Sequence, residues 1–510
     1  MVLSPSPPQL ILTGNNPFFH YIFSVFPLVS SKSLLLERVL NDYKVSIRRK
    51  RMKVMKFGGS SLADQHMIRK VGTIVTESHN DDQVAVVLSA MKGVTDQLLQ
   101  MAECAAKGDH EYETLYQTLT QRITNTAREL VASSEQQTCL EALEGLLEEL
   151  YDILHGIFLV RECSARTLDM VAGFGERSNC LLFTYYLNSI DVSATMIDTR
   201  ELIVTDDNHG GAAVFFNATY QNIQKTLTDN DCIYVITGFI GSTETGITTT
   251  LGRNGSDFTA SIIGAGIKAD AIEIWTDVDG VLSGDPHIVE NAFVLPKISF
   301  QEAMELSYFG AKVIHPYTMI PAVESNIPIK IKNTHNPDAP GTVISSSVNK
   351  QKKSITGLAS IEDVSLINIE GSGMLGVPGT ASRVFTALAL ARVNIIMISQ
   401  ASSEHSICIV CRTAEAQKAV SALDAELEQE LKTKKIQRFE LIHDLEIIAV
   451  IGENMRGTPG ISGRLFSSLG EQDINILAIA QGSSERNISF VIDRTEKGKA
   501  LNTIHKAFLE

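Results

Sequence analysis

The chain is poor in tryptophan, with one in 510 residues, and short of positive charge: Lys and Arg total 44 against 59 Asp and Glu, a net charge of −15. That deficit argues against nucleic acid or an anionic membrane as main partner, because either requires a basic face. Long apolar runs are scarce too. The apolar stretch Pro17 to Val29 is broken by His20 and Pro27 and is too short to span a bilayer. Cysteine is sparse and odd in number: Cys104, Cys139, Cys163, Cys180, Cys232, Cys408 and Cys411 are scattered, which fits a reducing compartment better than a disulfide framework. Cys408 and Cys411 form a C-x-x-C inside the strand-like run Ser406 to Arg412, where positions three apart face opposite sides, so no redox or metal role is expected of them. What remains is 44% hydrophobic and 20% charged, enough for ordinary cores, and the length predicts roughly three to four domains at ~150 residues each.

Residues 1–51 differ from the rest. Acidic residues begin only at Glu37, serines are frequent, and the segment ends in Arg48, Arg49, Lys50 and Arg51. It reads either as a targeting peptide, which would be removed, or as translation drawn from an upstream start, since Met52 and Met55 stand at the first plausible strand. The second reading is preferred, and the segment is set aside as a non-core extension.

The chain is organised around Val54 to Leu62. Val54 to Phe57 have the composition of a buried strand, Gly58 and Gly59 permit a sharp turn close to a ligand, and Ser60 and Ser61 can cap a following helix. A strand ending in Lys56, then two glycines, then a helix start suits a phosphate. The order differs from a Walker loop, in which the lysine follows the glycines. The bland alternative is an ordinary turn.

From Val54 to about Ser345, strand-like runs (Val84 to Leu88, Val192 to Ile197, Cys232 to Thr237, Ala271 to Trp275, Ile327 to Ile331) alternate with helical ones (Met67 to Ser78, Asp96 to Lys107, Ala142 to Gly156, Ser178 to Ile190, Gln301 to Phe309). This alternation predicts an α/β domain: a largely parallel sheet covered on both faces, with ligands at the carboxyl ends of the strands. Ile344 to Ser354 reads as a linker. Beyond it the chain repeats itself at an offset of 81 (452 − 371): Gly371, Met374, Gly376, Pro378 and Gly379 recur as Gly452, Met455, Gly457, Pro459 and Gly460. Arg383, Phe385, Asn394, Ile395, Gln400 and Glu404 recur as Arg464, Phe466, Asn475, Ile476, Gln481 and Glu485. Each copy reads strand, Gly/Pro loop, helix, strand, strand, a small α+β module, and two copies would pack side by side. The duplicated domain is either structural or, with Gly-x-Pro-Gly at a helix start facing a polar strand end, suited to an amino-acid carboxylate.

Four further stretches carry candidate chemistry. Ser89 to Asp96 follows a strand and opens a helix, so Ser89 and Thr95 can reach a phosphate or substrate, or act as plain caps. Glu176 and Arg177 stand at another helix start. Arg253, between Gly252 and Gly255 with one intervening residue, is shaped for bidentate capture of a carboxylate, and Ser256 and Asp257 open a helix beside it. Thr276 and Asp277 end a strand where a nucleotide can sit, and Lys312 can reach its phosphates.

Together K-F-G-G-S, L-S-A-x-x-G-V-T, F-G-E-R, G-R-x-G-S-D, W-T-D-V-D-G, M-E-L-S-Y-F-G-A-K-V-x-H-P and the tandem modules resemble aspartate kinase, in the kinase half of bifunctional aspartokinase–homoserine dehydrogenases, from about Val54 onward. The resemblance implies an amino-acid-kinase three-layer α/β/α sandwich over 52–345 and two ferredoxin-like ACT modules over 355–441 and 442–510. It implies transfer of the ATP γ-phosphoryl, with Mg²⁺, to the β-carboxylate of aspartate, giving 4-phospho-L-aspartate, the first step toward lysine, threonine and methionine. No G-x-G-x-x-G stretch follows, so no dehydrogenase activity is expected. By resemblance Lys56, Gly58, Gly59 and Ser60 cradle the transferred group, and Thr276, Asp277 and Lys312 belong to the nucleotide. Arg253 takes the α-carboxylate, Glu176, Thr95 and Ser89 complete the aspartate contacts, and Ser256 and Asp257 support them, Asp257 toward the amino group or the metal shell; no protein metal ligand is assigned. Ile398, Gln400, Ile479 and Gln481 would meet a threonine or lysine effector. A homodimer or larger assembly is expected, in the cytoplasm, or in a plastid if residues 1–51 are a transit peptide.

Two positions depart from the family pattern, Leu282 where an aromatic is common and His287 where an arginine usually meets phosphate. They keep open a catalytically weak amino-acid sensor beside the kinase. A glutamate-type amino-acid kinase is the other alternative, opposed by the tandem modules and by the F-G-E-R and G-R-N-G-S-D pair.

Overall fold

The computed structural model describes residues 52–228, 231–310, 315–346, 354–371, 379–400 and 406–510. The expectations for 1–51, for Lys312, and for most of the linker and of the first Gly/Pro loop lie outside the described residues.

The N-terminal part is built on β1 (Met52–Phe57), β2 (Gln83–Leu88), β3 (Ala194–Ile197), β4 (Val204–Thr205), β5 (Ile233–Thr237), β6 (Ile240–Thr243), β7 (Thr248–Thr250), β8 (Ala271–Thr276), β9 (Lys297–Ser299), β10 (Ile329–Asn333) and β11 (Thr342–Ser345). Eight of these form one sheet in the order β3-β5-β2-β1-β8-β10-β11-β9, parallel except between β10 and β11; β4, β6 and β7 form a small second sheet. The alternation of side chains along β1 and β2 shows why the sheet is covered twice. Val54, Ala85 and Val87 enter one core, whereas Met55, Phe57, Val84, Val86 and Leu88 enter the other.

Helices α1 (Gln65–Asp81), α2 (Val94–Lys107), α3 (Glu111–Leu130), α4 (Ser133–Val160), α5 (Ala165–Ala172) and α6 (Phe174–Ser189) supply the second core; α7 (Phe216–Thr226), α8 (Gly255–Ile267) and α9 (Phe300–Tyr308) supply the first. Helix α8 is apolar nearly all round because it is buried throughout, with Phe258, Ala260, Ile262 and Ile263 at most 2% exposed.

The repeat forms a single six-stranded sheet, β13-β14-β12-β15-β17-β16, from β12 (Gly357–Glu370), β13 (Ile395–Gln400), β14 (Ser406–Arg412), β15 (Arg438–Ile451), β16 (Ala478–Gln481) and β17 (Asn487–Asp493). Its helices are α10 (Thr380–Leu390), α11 (Thr413–Glu426), α12 (Ile461–Gly470) and α13 (Lys497–Phe508). Strands β12 and β15, 14 residues each, pair antiparallel with a register shift near Asp363, and Asp363 (φ 53°) and Asp444 (φ 59°) sit in the left-handed region. Each long strand serves both copies. Val364 to Glu370 pairs with β14 of the first copy, while Gly357 to Ile361 lies beside Ile447 to Ile451, which in turn pairs with β17 of the second. The copies are therefore interleaved, and the boundary expected at 441/442 falls inside β15. Cys408 and Cys411 point to opposite faces of β14: Cys411 is buried in the core beneath α10 and α11, where burial pushes its thiol up to about 11, and Cys408 lies 3.4 Å from Asn368 Oδ1.

The second copy is bonded to the N-terminal part. Buried Glu302 closes a capping box with Ser299 at the start of α9 and also accepts from the Thr356 hydroxyl and the Glu453 N–H (2.9 Å). Asn487 donates to Glu305 (2.9 Å), and Ser283 shares a 2.9 Å hydrogen bond with buried His505 of α13. No helix among the described residues is long and apolar enough to cross a membrane.

Candidate active site

Strand β1 carries Lys56 to the carboxyl edge of the sheet, where its Nζ meets Asp257 Oδ1 at 2.6 Å. A Cβ on Gly58 would stand 3.2 Å from that ammonium, and one on Gly59 3.2 Å from the Ala90 carbonyl, so the two glycines leave the room a phosphate needs. The expected helix cap is different. Gly59–Leu62 is a single 3-10 turn, Ser61 Oγ shares a 2.7 Å hydrogen bond with Thr334, and Asp64 caps α1 by accepting from Met67 N at 2.9 Å. The extra turn displaces Ser60 and Ser61 from the position where a side chain could cap α1.

Strand β2 ends beside β1, and Ser89 N donates to Phe57 O (3.1 Å). The chain then turns through Gly93 (φ 78°) into α2, placing Ser89 and Thr95 on one cleft wall. Helix α6 presses on this loop so closely that a Cβ on Gly175 would lie 2.7 Å from that of Ala90. In its first turn Glu176, 3% exposed, accepts from Ala90 N (3.2 Å), and its Oε2 has no hydrogen-bond partner among the described residues. Burial pushes its carboxyl up to about 8, against smaller lowering by the Ala90 N–H and the Lys56 charge. Arg177 serves structure, paired with Glu149 (3.0 Å) and stacked over Phe174.

The opposite wall is the turn from β7 into α8. Gly252 (φ 76°) and Asn254 (φ 54°) are left-handed, and between them Arg253 is exposed with no ion pair among the described residues. Ser256 is packed so tightly that a Cβ on Gly238 would fall 2.6 Å from its Oγ. Asp257 stands in the first turn of α8, its Oδ1 on Lys56.

These walls enclose a cleft of about 440 Å³. Lys56, Gly58, Gly59, Ser60 and Asp257 line it, and so do Ser89, Thr95, Glu176, Arg253 and Ser256. Thr276 and Asp277 do not line it; Thr276 ends β8 and Asp277 follows it, and because β8 pairs with β1 (Phe57 beside Trp275) both lie along the same sheet edge. Sequence reasoning missed Lys92, Asp96, Phe239 and Asn254, which also line the cleft. The backbone of Lys92 lies against Gly59, and Phe239 is left-handed (φ 70°), held by donation of its N–H to Thr259 Oγ1 at 3.0 Å. Only pairing with a neighbouring segment identifies such residues; a lysine or phenylalanine next to glycine carries no signal by itself.

In the duplicated sheet, Ile398 (45% exposed) and Gln400 lie on β13, and Ile479 (43% exposed) and Gln481 on β16. The two strands are opposite edges of the sheet, yet they meet: Ser399 Oγ donates to Ile479 O at 2.9 Å. The equivalent positions of the two copies thus form one neighbourhood. Gly457 and Gly460 are left-handed in the second copy's loop, and Gly457 N donates to Glu485 Oε2 at 2.7 Å.

A largely parallel sheet covered on both faces, whose strand ends bring Lys56 and two glycines against a turn presenting exposed Arg253, followed by a duplicated α+β sheet, has the arrangement of an amino acid kinase carrying ACT modules. Comparison supports that class: residues 51–333 match the amino acid kinase family, and residues 367–427 and 448–508 each match an ACT domain. The chain is 38% identical over 462 residues to bifunctional aspartokinase/homoserine dehydrogenase 2, chloroplastic, of Arabidopsis thaliana, covering 89% of this chain and 50% of that one. It is 35% identical over 473 residues to aspartokinase 1, chloroplastic, of the same plant, covering 90% of this chain and 80% of that one. Escherichia coli aspartokinase III, solved with aspartate and ADP (R-state) and with lysine and aspartate (T-state), matches over 90% of this chain and 100% of its own, at TM-score 0.74 and 28% and 29% identity. The chain belongs to the aspartate kinase family, as a three-layer α/β/α sandwich followed by two ACT modules, and it spans about half the length of the bifunctional relatives it matches.

Proposed function

We propose that this protein transfers the γ-phosphoryl of ATP to the β-carboxylate of aspartate. The observation that carries the reading is the convergence of Lys56, Glu176 and Arg253, from three separate elements, on one cleft at the carboxyl edge of the sheet. A β-carboxylate has an ordinary pKa of ~3.9, is an anion at neutral pH, and needs no general base. The task is to hold two anions together, which rests on positioning and fixed charge.

ATP lies toward Thr276 and Asp277, its phosphates reaching Lys56, Gly58, Gly59 and Ser60, with Lys312 a further phosphate contact by resemblance. Aspartate lies against Ser89, Thr95 and Ser256, its α-carboxylate on Arg253 and its ammonium on the free oxygen of Glu176. A carboxylate oxygen attacks the γ-phosphorus as the bond to the β–γ bridging oxygen breaks, and ADP leaves. Lys56, held in line by Asp257, faces the charge of the group in transit. The donor set suits Mg²⁺, which takes one or two carboxylates plus phosphate oxygens: Asp257 Oδ2 is uncommitted among the described residues, and Asp96 lines the same cleft. The ion would supply charge neutralisation of the phosphates.

An amino-acid effector, threonine or lysine, is proposed at the joined edges of β13 and β16, and the exposed Ile398 and Ile479 favour assembly through the same edges. The test of the catalytic reading is ADP formation by the protein from Met52 onward with a panel of amino acids. Aspartate is expected to be the strongly preferred acceptor, and Arg253→Lys to raise KM for aspartate about tenfold while leaving KM for ATP within twofold, because lysine lacks the planar fork. Preference for glutamate, or no amino-acid dependence, overturns it.

A further inference from the structure

Asp169 touches no part of the cleft, yet it joins the two walls that would hold the amino acid. It lies in α5, 4% exposed, and its carboxylate accepts from three places at once. Oδ1 takes the Thr250 hydroxyl (2.6 Å) and Oδ2 the Thr250 N–H (3.2 Å); Gly210 N reaches both oxygens at 3.1 Å, and His209 Nδ1 lies 2.8 Å from Oδ2. Ala212 N donates to Thr250 O (2.9 Å), so the segment Asp206 to Ala213 is strapped along the end of β7. Thr250 is the last residue of β7; Leu251, Gly252 and Arg253 follow directly. Left-handed Gly252 is pressed against the strap, where a Cβ would lie 3.3 Å from Gly210 O.

On its other side the backbone carbonyl of Asp169 accepts from Gly173 N (3.1 Å), the hinge residue between α5 and α6, and a Cβ on Gly173 would stand 3.1 Å from Ile240. Glu176 follows within one turn. A single buried residue therefore ties the Arg253 turn by its side chain and the Glu176 helix by its main chain. Burial of a carboxylate with no substrate to serve is costly unless its acceptors are filled, and here they are filled by the loop that presents Arg253.

We propose that Asp169, with Thr250 and His209, is a positioning residue for aspartate: it sets the distance between Arg253 and Glu176 and so governs affinity for the amino acid and not for the nucleotide. This rests on the phosphoryl-transfer reading above. Asparagine at 169 would turn an NH₂ toward donors, and valine at 250 would remove one hydroxyl without burying a new charge.

The test is steady-state kinetics of the full chain with Asp169→Asn, Thr250→Val, Arg253→Ala and the double variant Thr250→Val/Arg253→Ala, beside thermal melts. Expected are a rise in KM for aspartate of about tenfold in Asp169→Asn and about threefold in Thr250→Val, with KM for ATP within twofold. In the Arg253→Ala background Thr250→Val should have no further effect, since it acts through the missing guanidinium. A Thr250→Val protein with both KM values unchanged, or both raised alike, or additive with Arg253→Ala, overturns the proposal; this arm decides alone if Asp169→Asn does not fold. Absence of aspartate-dependent turnover in the wild type would instead remove the functional reading itself, and the two failures are distinct.

Discussion

The cleft and the joined edges of the ACT sheet are built on opposite terms. In the cleft several chemistry-bearing groups are packed in and held: half-buried Lys56 by Asp257, buried Glu176 by Ala90, and buried Ser256 against the missing side chain of Gly238, while Arg253 stands exposed on its turn. At the ACT edge Ile398 and Ile479 are nearly half exposed, and among the described residues one side-chain hydrogen bond, Ser399 to Ile479, joins the two edge strands. Buried charge held rigidly is what transition-state stabilisation requires, whereas an exposed apolar pair at an open edge is a surface that a ligand or a second chain completes. Substitutions in the cleft should therefore alter chemistry, and substitutions at the edge should alter coupling while sparing chemistry.

The largest effect that sharpens this contrast is at Lys56. Lys56→Ala is expected to lower kcat by about a hundred- to a thousandfold, the scale seen when one charge-stabilising donor is lost. It also leaves buried Asp257 unpaired, so the variant's melt must be recorded alongside; a folded variant retaining more than about a tenth of wild-type kcat would break the comparison at its cleft end.

Next in size is the proton on Glu176. An ordinary glutamate titrates near 4.5, whereas buried Glu176 holds its proton to about 8. Between those values the unfolded chain has released the proton and the folded chain has not, so stability falls as pH rises, by up to about 1.4 kcal/mol per pH unit, and levels off above about 8. Glu176→Gln should raise the melting temperature at pH 8 and flatten its pH dependence, yet raise KM for aspartate about tenfold. In the wild type KM for aspartate should drop as pH climbs toward 8, because an ammonium ligand requires the ionised form. Melts and KM across pH 5–9 check both; a Glu176→Gln protein less stable than wild type at pH 8 contradicts the assignment of the buried, protonated carboxyl.

The smallest effect belongs to the ACT edge. Gln400→Ala and Gln481→Ala should leave uninhibited kcat within twofold and weaken inhibition by threonine or lysine about fivefold, the low end of ordinary allosteric coupling. Because Ser399 bridges the two strands, the double variant should be little worse than the stronger single one. Inhibition curves at saturating aspartate measure this. Loss of turnover in either single variant would erase the distinction between the two regions, and unchanged inhibition in both would leave the duplicated sheet a structural element.

The sequence by itself determined six of the eight strands of the main sheet, though not the short β9 and β11, together with the glycine turns at their ends and the repeat, since each is a local pattern: Val84 to Leu88 is too uniformly apolar to lie on a surface, and an offset of 81 recurs at position after position. Ten candidate residues named from such patterns line one cleft. Only the tertiary structure decided the rest. That Asp64 and not Ser60 or Ser61 caps α1 depends on one intervening 3-10 turn, and that Asp169, Lys92 and Phe239 belong beside the site depends on segments up to 81 residues apart in sequence, as Asp169 and Thr250 are. The exchange of half-strands between the ACT copies was equally invisible, because β12 and β15 read as ordinary strands and their break lies in backbone geometry at Asp363 and Asp444, which a side-chain pattern does not encode.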